Sequence, residues 1–289
     1  MTIATIDIGG TGIKFASLTP DGKILDKAST ATPETLEELL AWLDQRLSER
    51  DYRGIAMSVP GAVNQEIGVI EGISAIPYIH GFSWYEALAH HKLPVHLEND
   101  ANCVGLSELL AHPEIENAAC VVIGTGIGGA MIINGKLHRG RHGLGGEFGY
   151  MTTFEPAERL NNWSLLASTG NMVRYVIEKS GQSDWDGRKV YQEAAAGNAL
   201  CQEAIERMNR NLAQGLLNIQ YLIDPDVISL GGSISQNPDF IKGVQKAVDA
   251  FVERYEEYTI APVIQACTYH ADANLYGALV NWLQEENQW

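Results

Sequence analysis

The sequence has few basic residues, few cysteines and no long hydrophobic run. Its 289 residues include 20 Lys and Arg against 36 Asp and Glu, which gives a formal net charge of −16. Nucleic acids and anionic membranes attract basic surfaces, so this balance argues against both partners. No apolar run approaches the roughly 20 residues of a membrane span. With 45% hydrophobic residues, the chain predicts one large globular domain or two of moderate size.

The cysteines predict no disulfide framework. The sequence has four cysteines, none of them spaced as a C-x-x-C pair: Cys103, Cys120, Cys201 and Cys267. They are typical of buried free thiols in a reducing compartment. The start of the chain passes directly from Met1 into a strand-like segment, without the basic region of a signal peptide. We therefore expect a cytoplasmic protein.

Two stretches of the chain repeat one local pattern of strand, glycine-rich turn and strand. The first covers residues 3–30 and predicts a three-stranded antiparallel meander. The second runs from Ala118 through the glycines at 124–129 to the Asn134-Gly135 hairpin signal. We interpret the repetition as an ancient duplication of one domain plan.

The later half of the chain is predicted to be mostly helical. The spacing of apolar residues predicts helices over residues 164–180, 188–196, 198–223, 238–256 and 272–286. A further helix is predicted to begin at Thr32, as N-cap, and Pro33.

The first glycine turn has the composition of an anion-binding loop. Gly9 and Gly10 leave backbone N–H groups accessible, and Thr11 adds a hydroxyl donor. Asp7, at the end of the strand, is suited to organise Mg²⁺ or its water ligands. Lys14 is either a phosphate contact or a surface strand residue. An ordinary glycine hairpin would explain the same pattern.

The second turn matches G-x-G-x-x-G but is not followed by a helix. Gly124, Gly126 and Gly129 precede an apolar strand, which excludes the dinucleotide-binding fingerprint. The sequence also contains no G-x-x-x-x-G-K-[ST] motif. A third pair, Gly231 and Gly232, ends an apolar strand and is suited to contact the adenosine part of a nucleotide. A plain strand-to-helix turn is the alternative for that pair.

Five motifs in order resemble the ROK family of sugar kinases and repressors. They are DIGGT at 7–11, ENDAN at 98–102, IGTGIGG at 123–129, GGEFGY at 145–150 and SLGGS at 229–233. The resemblance covers nearly the whole chain. It implies an α/β, two-lobed, actin-like and hexokinase-like (RNase H-like) ATPase fold with the active site between the lobes. We expect residues 1–112 and 272–289 to form the small lobe and residues 113–271 the larger one.

The resemblance also implies roles for single residues. Asp100 corresponds to the catalytic base that accepts the proton of the sugar hydroxyl, although a helix N-cap would be the simpler reading of an aspartate there. ATP and Mg²⁺ are the implied cofactors, and a homodimer is the implied assembly. The expected ATP and Mg²⁺ contacts are Asp7, Gly9, Gly10, Thr11, Lys14, Thr125, Gly126, Gly231 and Gly232. The expected sugar contacts are Gly61, Asn99, Asp100, Glu147 and Tyr150.

The chain departs from the family pattern at two places. Many members have a histidine where this chain has Tyr150, and a zinc-binding cysteine cluster that this chain lacks, so no zinc site is expected. His138 and His142 have no evident third ligand. The family's second sugar-binding glutamate falls near Ser164. The absence of the histidine, of the cysteine cluster and of the second glutamate resembles the β-glucoside kinase branch of the family, whose members phosphorylate a glucose unit of a disaccharide.

The sequence is compatible with two substrate classes, a β-glucoside or disaccharide and a hexose such as glucose or mannose. Segments 71–84 and 154–168 are expected to shape the sugar pocket, and three aromatic residues are candidates for stacking on a second ring: Tyr78, Phe82 and Trp84. A sugar-binding protein without significant kinase activity is the alternative function. A repressor is disfavoured, because the first glycine turn leaves no room for a preceding DNA-binding domain. The basic stretch with Lys136, Arg139 and Arg141 either steers ATP or forms a solvated rim.

Overall fold

The strands in the described part of the chain form two five-stranded sheets and one small hairpin. The computed structural model describes residues 2–152 and 161–289. Its strands are β1 (Ile3–Ile8), β2 (Gly12–Leu18), β3 (Ile24–Ala31), β4 (Gly54–Val59), β5 (Ala62–Asn64), β6 (Val69–Glu71), β7 (Val95–Asn99), β8 (Ala118–Ile123), β9 (Ile127–Ile133), β10 (Lys136–Leu137), β11 (Val227–Gly231) and β12 (Ile264–Ala266).

The helices follow the strands and cover them. They are α1 (Leu36–Ser48), α2 (Trp84–Ala87), α3 (Asp100–Ala111), α4 (Trp163–Ala167), α5 (Thr169–Ser180), α6 (Gly187–Ala195), α7 (Ala199–Ile223), α8 (Pro238–Arg254) and α9 (Ala273–Glu285). None of the helices in the described part of the chain combines the length and the apolar character needed to cross a membrane.

The two large sheets share one topology. The first has the order β3-β2-β1-β4-β7 and the second the order β10-β9-β8-β11-β12. In each sheet, a glycine-rich turn joins two neighbouring antiparallel strands, β1 and β2 in the first sheet and β8 and β9 in the second. In each, the strand that precedes this turn also pairs with a parallel strand, β4 or β11. The predicted meander and the repeated plan are therefore both present.

The chain divides into two compact units. Unit 1 contains Met1–Glu114, Leu137–Gly145 and Ala271–Trp289, and unit 2 contains Ile115–Lys136 and Gly146–His270. The expected boundaries differ from these at residues 113–114 and 271, and at residues 137–145, which the expectation places in the larger lobe. The side chain of Arg139, described below, bonds only residues of unit 1 and explains where this segment belongs.

Each unit has its own apolar core. In unit 1 the sheet packs on α1 through Leu39, Leu43 and Leu47, as their helical spacing predicts. Another buried cluster of unit 1 holds α9 against the sheet through residues such as Leu279 and Trp282. In unit 2 a large cluster joins β8 and β11 to α4–α8, and the 25-residue helix α7 contributes many of its members.

Two helix boundaries differ from the sequence-based expectation. The helix predicted from Thr32 begins at Leu36, with Thr35 as its N-cap. Thr32 instead donates its hydroxyl to the carbonyl oxygen of Gly9 at 2.6 Å and braces the first glycine turn. The single helix predicted over residues 164–180 is two helices, because Ser168 is extended and its hydroxyl caps α5.

Candidate functional site

The first glycine turn borders a hollow of about 550 Å³ within unit 1. Parallel pairing aligns the carboxyl ends of β1, β4 and β7, with Asp7 opposite Ser58 and Val59 opposite Asn99. Helix α3 starts directly after β7. The hollow therefore collects side chains from several predicted motifs, and its lining includes Asp7, Gly9, Thr11, Lys14, Asp100 and Asn274.

Asp7 is a buried carboxylate with two side-chain donors. Lys14 Nζ lies 3.0 Å from its Oδ2, and Asn274 Nδ2 donates to its Oδ1 at 2.8 Å. Lys14 also donates to the carbonyl oxygen of Ala271 at 2.6 Å. Lys14 is thus neither a free surface residue nor fully available to a ligand. Asn274 belongs to the C-terminal helix, and nothing in its local sequence indicates that it reaches Asp7.

Asp100 is the first residue of α3, and the N-cap is Asn99. The Oδ1 atom of Asn99 accepts from the backbone N–H of Asn102 at 3.1 Å, so Asp100 is not needed for capping. The carboxylate of Asp100 accepts from the N–H of Ala101 at 2.8 Å. Burial raises the pKa of Asp100, and the nearby charge of Asp7 raises it further. An aspartate with these surroundings has the character of a proton acceptor.

Asn99 also ties the start of α3 to the turn after β4. Its Nδ2 donates to the carbonyl oxygen of Gly61 at 3.1 Å. Gly61 has a φ of +105°, and a Cβ there would lie 2.9 Å from the carbonyl oxygen of Glu71. Only glycine fits this conformation without strain. The structure therefore brings together two of the residues expected to contact the sugar.

Glu98 and Arg139 form an ion pair behind the start of α3. Glu98 is 2% exposed, and its Oε2 lies 2.6 Å from Arg139 Nε. Its Oε1 accepts from the backbone N–H of Asn99 at 2.8 Å and from Asn102 Nδ2 at 2.9 Å. Arg139 also donates to Asn281 Oδ1 at 2.7 Å and to Glu285 Oε1 at 3.1 Å. Arg139 is therefore not part of a solvated rim, and the steering of ATP by the basic stretch stays a prediction.

The second glycine turn, in unit 2, is held by backbone and serine contacts. Gly124 accepts from the N–H of Gly170 at 3.1 Å, at the start of α5. Ser164 Oγ accepts from the N–H of Ile127 at 2.9 Å. Thr125 and Gly126 are left exposed at the tip. Ser164, near the expected position of a second sugar-binding glutamate, thus positions the turn.

The GGEFGY motif packs on the same turn. A Cβ on Gly149 would lie 2.0 Å from the carbonyl oxygen of Ile127 and 2.3 Å from Ser164 Oγ. Glu147 precedes the short 3-10 turn Phe148–Tyr150. Tyr150, at its end, is 73% exposed. In unit 2, the motif with the expected sugar contacts Glu147 and Tyr150 therefore packs, through Gly149, on the turn with the expected phosphate contacts Thr125 and Gly126.

Gly149→Ala should destabilise unit 2, because a backbone carbonyl would have to move to admit the methyl group. We expect a loss of about 1–3 kcal/mol in the free energy of unfolding, measured by urea denaturation. Gly124→Ala is the matched control, since a Cβ there meets nothing within 4 Å. Equal stability of the two variants would contradict the packing described here.

A hollow of about 500 Å³ lies next to the third glycine pair. Gly232 has a φ of +90°, and a Cβ there would lie 2.1 Å from the carbonyl oxygen of Ile123. The lining includes Thr169, Asp186, Arg188, Tyr191, Ser233 and Asn237. Within the described residues, Thr169 Oγ1 and Tyr191 OH are buried without a hydrogen-bond partner. A buried orphan hydroxyl is costly, which points to a ligand that completes it.

The aromatic residues of segment 71–84 belong largely to the core of unit 1. Trp84 is fully buried and donates Nε1–H to the carbonyl oxygen of Ile79, so it cannot stack on a sugar ring. Tyr78 donates its hydroxyl to the carbonyl oxygen of Pro33. Phe82 packs on Trp84 with ring centroids 5.1 Å apart. Residues 154–160 of the other expected pocket segment lie outside the described residues.

Comparison with known proteins gives full-length similarity. The sequence matches the family model of the ROK family over residues 3–285. A β-glucoside kinase of Listeria monocytogenes is 36% identical over 100% of this chain and 99% of its own. A ROK family protein from Streptococcus pneumoniae TIGR4, solved in complex with sucrose, is 88% identical with a TM-score of 0.98 over 100% of both chains.

A more distant structure has the same fold. The ROK hexokinase of Thermus thermophilus is 25% identical, with a TM-score of 0.86 over 99% of this chain and 100% of its own. The architecture is thus the predicted two-lobed, actin-like ATPase fold of the α/β class.

Proposed function

This chain belongs to the ROK family, and from that premise we propose that it is an ATP-dependent sugar kinase. The observation that carries the proposal is the hollow of unit 1. It places Asp100, a carboxylate whose pKa is raised by burial, beside a glycine turn that carries Asp7 and Lys14. Phosphoryl transfer to an alcohol needs a proton acceptor and groups that hold phosphates, and this hollow supplies both.

In the proposed mechanism, Asp100 accepts the proton of the attacking sugar hydroxyl. The Ala101 N–H fixes one oxygen of Asp100 and leaves the other for the substrate. Gly9, Gly10 and Thr11 in unit 1, and Thr125 and Gly126 in unit 2, are proposed to contact the phosphates.

The donor set of unit 1 fits Mg-ATP. Asp7 would hold Mg²⁺ or its water ligands, because its two oxygens keep lone pairs beyond those used by Lys14 and Asn274. When bound, Mg²⁺ would neutralise charge on the phosphates. Lys14 keeps one of its three N–H donors for a phosphate oxygen, since Asp7 and Ala271 occupy two.

We infer that the hollow beside Gly231 and Gly232 binds the nucleoside part of ATP. Tyr191→Phe should leave the melting temperature of the ligand-free protein unchanged or higher, because it removes an unpaired buried hydroxyl. The same change should raise KM for ATP several-fold while KM for sugar stays constant. Steady-state kinetics with each substrate varied will measure this. An unchanged KM for ATP would place the nucleoside elsewhere.

The proposed sugar contacts are Asn99, Gly61, Glu147 and Tyr150, together with Asp100. The Listeria relative is a β-glucoside kinase, and the Streptococcus relative was solved with sucrose. Both names point to a glucose unit that carries a second group. The exposed ring of Tyr150 is suited to pack against such a second ring. We propose a β-glucoside or another disaccharide as substrate, with a hexose such as glucose or mannose as the alternative. We also propose that the enzyme is a cytoplasmic homodimer.

The decisive experiment measures ADP release from Mg-ATP with a panel of sugars. The panel contains glucose, mannose, fructose, N-acetylmannosamine, cellobiose, gentiobiose and sucrose, and Asp100→Asn provides the blank. Turnover above the blank with a disaccharide supports the full proposal. Turnover with monosaccharides alone would remove the disaccharide assignment. Sugar binding without turnover would favour a binding protein without kinase activity.

A further inference from the structure

Two histidines and one aspartate converge on the surface of unit 1, away from the residues proposed for catalysis. Asp44 lies on α1, and His90 and His91 lie on the 3-10 turn Ala89–His91 that follows α2. Asp44 Oδ1 is 3.0 Å from His90 Nε2 and 2.8 Å from His91 Nε2. The two imidazole rings are 4.1 Å apart between centroids. Three ligand atoms from two separate elements therefore lie close together.

These atoms have the composition and spacing of a metal site. Within residues 2–152 and 161–289, they are the one set of three His, Cys, Asp or Glu ligand atoms that lie within 4.8 Å of one another. Imidazole nitrogen together with carboxylate oxygen suits Zn²⁺, Ni²⁺ and Cu²⁺ better than Mg²⁺ or Ca²⁺. Three protein ligands leave a coordination position for water, and the side chains of His90 and Asp44 are 56% and 45% exposed, so an ion has access.

The local structure holds the ligands in place before an ion arrives. His91, with 16% of its side chain exposed, is the most enclosed of the three. The turn that carries both histidines ends at Lys92, whose φ of +57° is the left-handed conformation that reverses the chain. The N–H groups of His91 and Lys92 bond the carbonyl oxygens of Leu88 and Ala89 at 3.1 Å. Binding an ion would replace the two imidazole–carboxylate hydrogen bonds with metal–ligand bonds, and would require both imidazoles to be neutral.

We propose that Asp44, His90 and His91 form a binding site for a divalent transition metal, with Zn²⁺ as the reference ion. This site uses no cysteine and lies in unit 1, so it differs from the cysteine-type zinc site that the sequence lacks. It does, however, depart from the expectation that the chain has no zinc site at all. The expectation rests on the missing cysteine cluster and on the pair His138 and His142, and the three ligands proposed here belong to neither. A bound ion would join α1 to the turn that precedes β7, the strand that ends at Asn99.

The test is calorimetric titration of nucleotide-free, chelator-treated protein with ZnCl₂. We expect one ion per chain in the wild type. Asp44→Asn and His91→Asn should each weaken the association at least about tenfold, since even the loss of an outer partner of a ligand costs this much. His112→Gln is the matched control, because His112 also lies beside a carboxylate, at 3.5 Å from Glu114, but belongs to no such set.

Two further measurements keep the result independent of activity and of folding defects. The melting temperature should rise with Zn²⁺ in the wild type and the control, and stay constant in Asp44→Asn and His91→Asn. Replacing Zn²⁺ with Co²⁺ should give the visible absorption of a low-symmetry site in the wild type and the control, and not in Asp44→Asn or His91→Asn. The proposal is overturned if the wild type binds no Zn²⁺, or if both ligand variants bind it as tightly as the control while their melting temperatures without metal match the wild type.

Discussion

Asp100→Asn should lower turnover at least about 100-fold and leave sugar binding nearly intact. General-base catalysis contributes about 10²–10⁴-fold, and asparagine cannot accept the proton. The amide keeps an oxygen that can accept from the N–H of Ala101, and Asn99 still caps α3, so the helix start should not change. Turnover is measured by ADP release, and sugar affinity by calorimetry. Near-normal turnover would remove Asp100 from its proposed role.

The raised pKa of Asp100 predicts two further results, one for the pH dependence of turnover and one for the melting temperature of the variant. Burial, aided by the charge of Asp7, raises the pKa of this carboxyl group. As the pH is lowered, kcat/KM should therefore begin to fall at a higher pH than it would with an ordinary aspartate as the base. A raised pKa also means that the ionised carboxylate costs stability at pH values above it. Asp100→Asn should therefore melt at the same temperature as the wild type or higher at neutral pH. A lower melting temperature would indicate a structural role.

Arg139→Met should be the most destabilising single substitution at the site. It leaves Glu98 buried without its cationic partner, and breaking a buried pair from one side typically costs 3–5 kcal/mol. Because 29% of the Arg139 side chain is exposed, we expect the lower end, about 3 kcal/mol. Arg141→Met, an exposed position two residues later, is the control and should stay within about 0.5 kcal/mol of the wild type. Urea denaturation will measure the differences.

A second variant separates loss of charge balance from loss of packing. Glu98→Gln combined with Arg139→Met removes both charges, and the glutamine oxygen can still accept from Asn99 and Asn102. The double variant should be more stable than the sum of the two single changes predicts, by at least about 1 kcal/mol. Strict additivity would mean that Arg139 acts through its contacts with Asn281 and Glu285 alone.

The sequence predicts the parts of this fold that are encoded locally. The meander with its glycine turn, the Asn134-Gly135 hairpin and the buried face of α1 depend on neighbouring residues, and all are found. Local signals are weaker at helix ends, where two candidates compete. Thr32 and Thr35 are both suitable N-caps, and the contact of Thr32 with Gly9 decides between them. Ser168 breaks a continuous apolar pattern for the same reason, because its hydroxyl finds a capping position.

The candidate site is predictable only where motifs mark it. The motifs indicate Asp7, Asn99 and Asp100, and the structure brings these residues to one edge of the first sheet. They give no indication of Asn274 or Arg139, which reach the site from distant segments. The orphan hydroxyls of Thr169 and Tyr191 also carry no local pattern, since only the folded chain shows that they are buried. The roles of the motif residues remain predictions that kinetics must test.

The position of α9 in unit 1 determines when, during synthesis, the core of this unit can be completed. Its core is closed by α9, whose Leu275, Leu279 and Trp282 are fully buried against strands near the start of the chain. Gly54 packs so closely on α9 that a Cβ there would overlap Trp282. Gly277 of α9 packs so closely on α3 that a Cβ there would overlap the carbonyl group of Cys103. Unit 2, between the two parts, can complete its core earlier during synthesis. The cluster that joins α9 to the N-terminal strands therefore cannot form until residues 273–285 have been synthesised, so we expect the nascent chain to leave this part of the apolar surface of those strands uncovered.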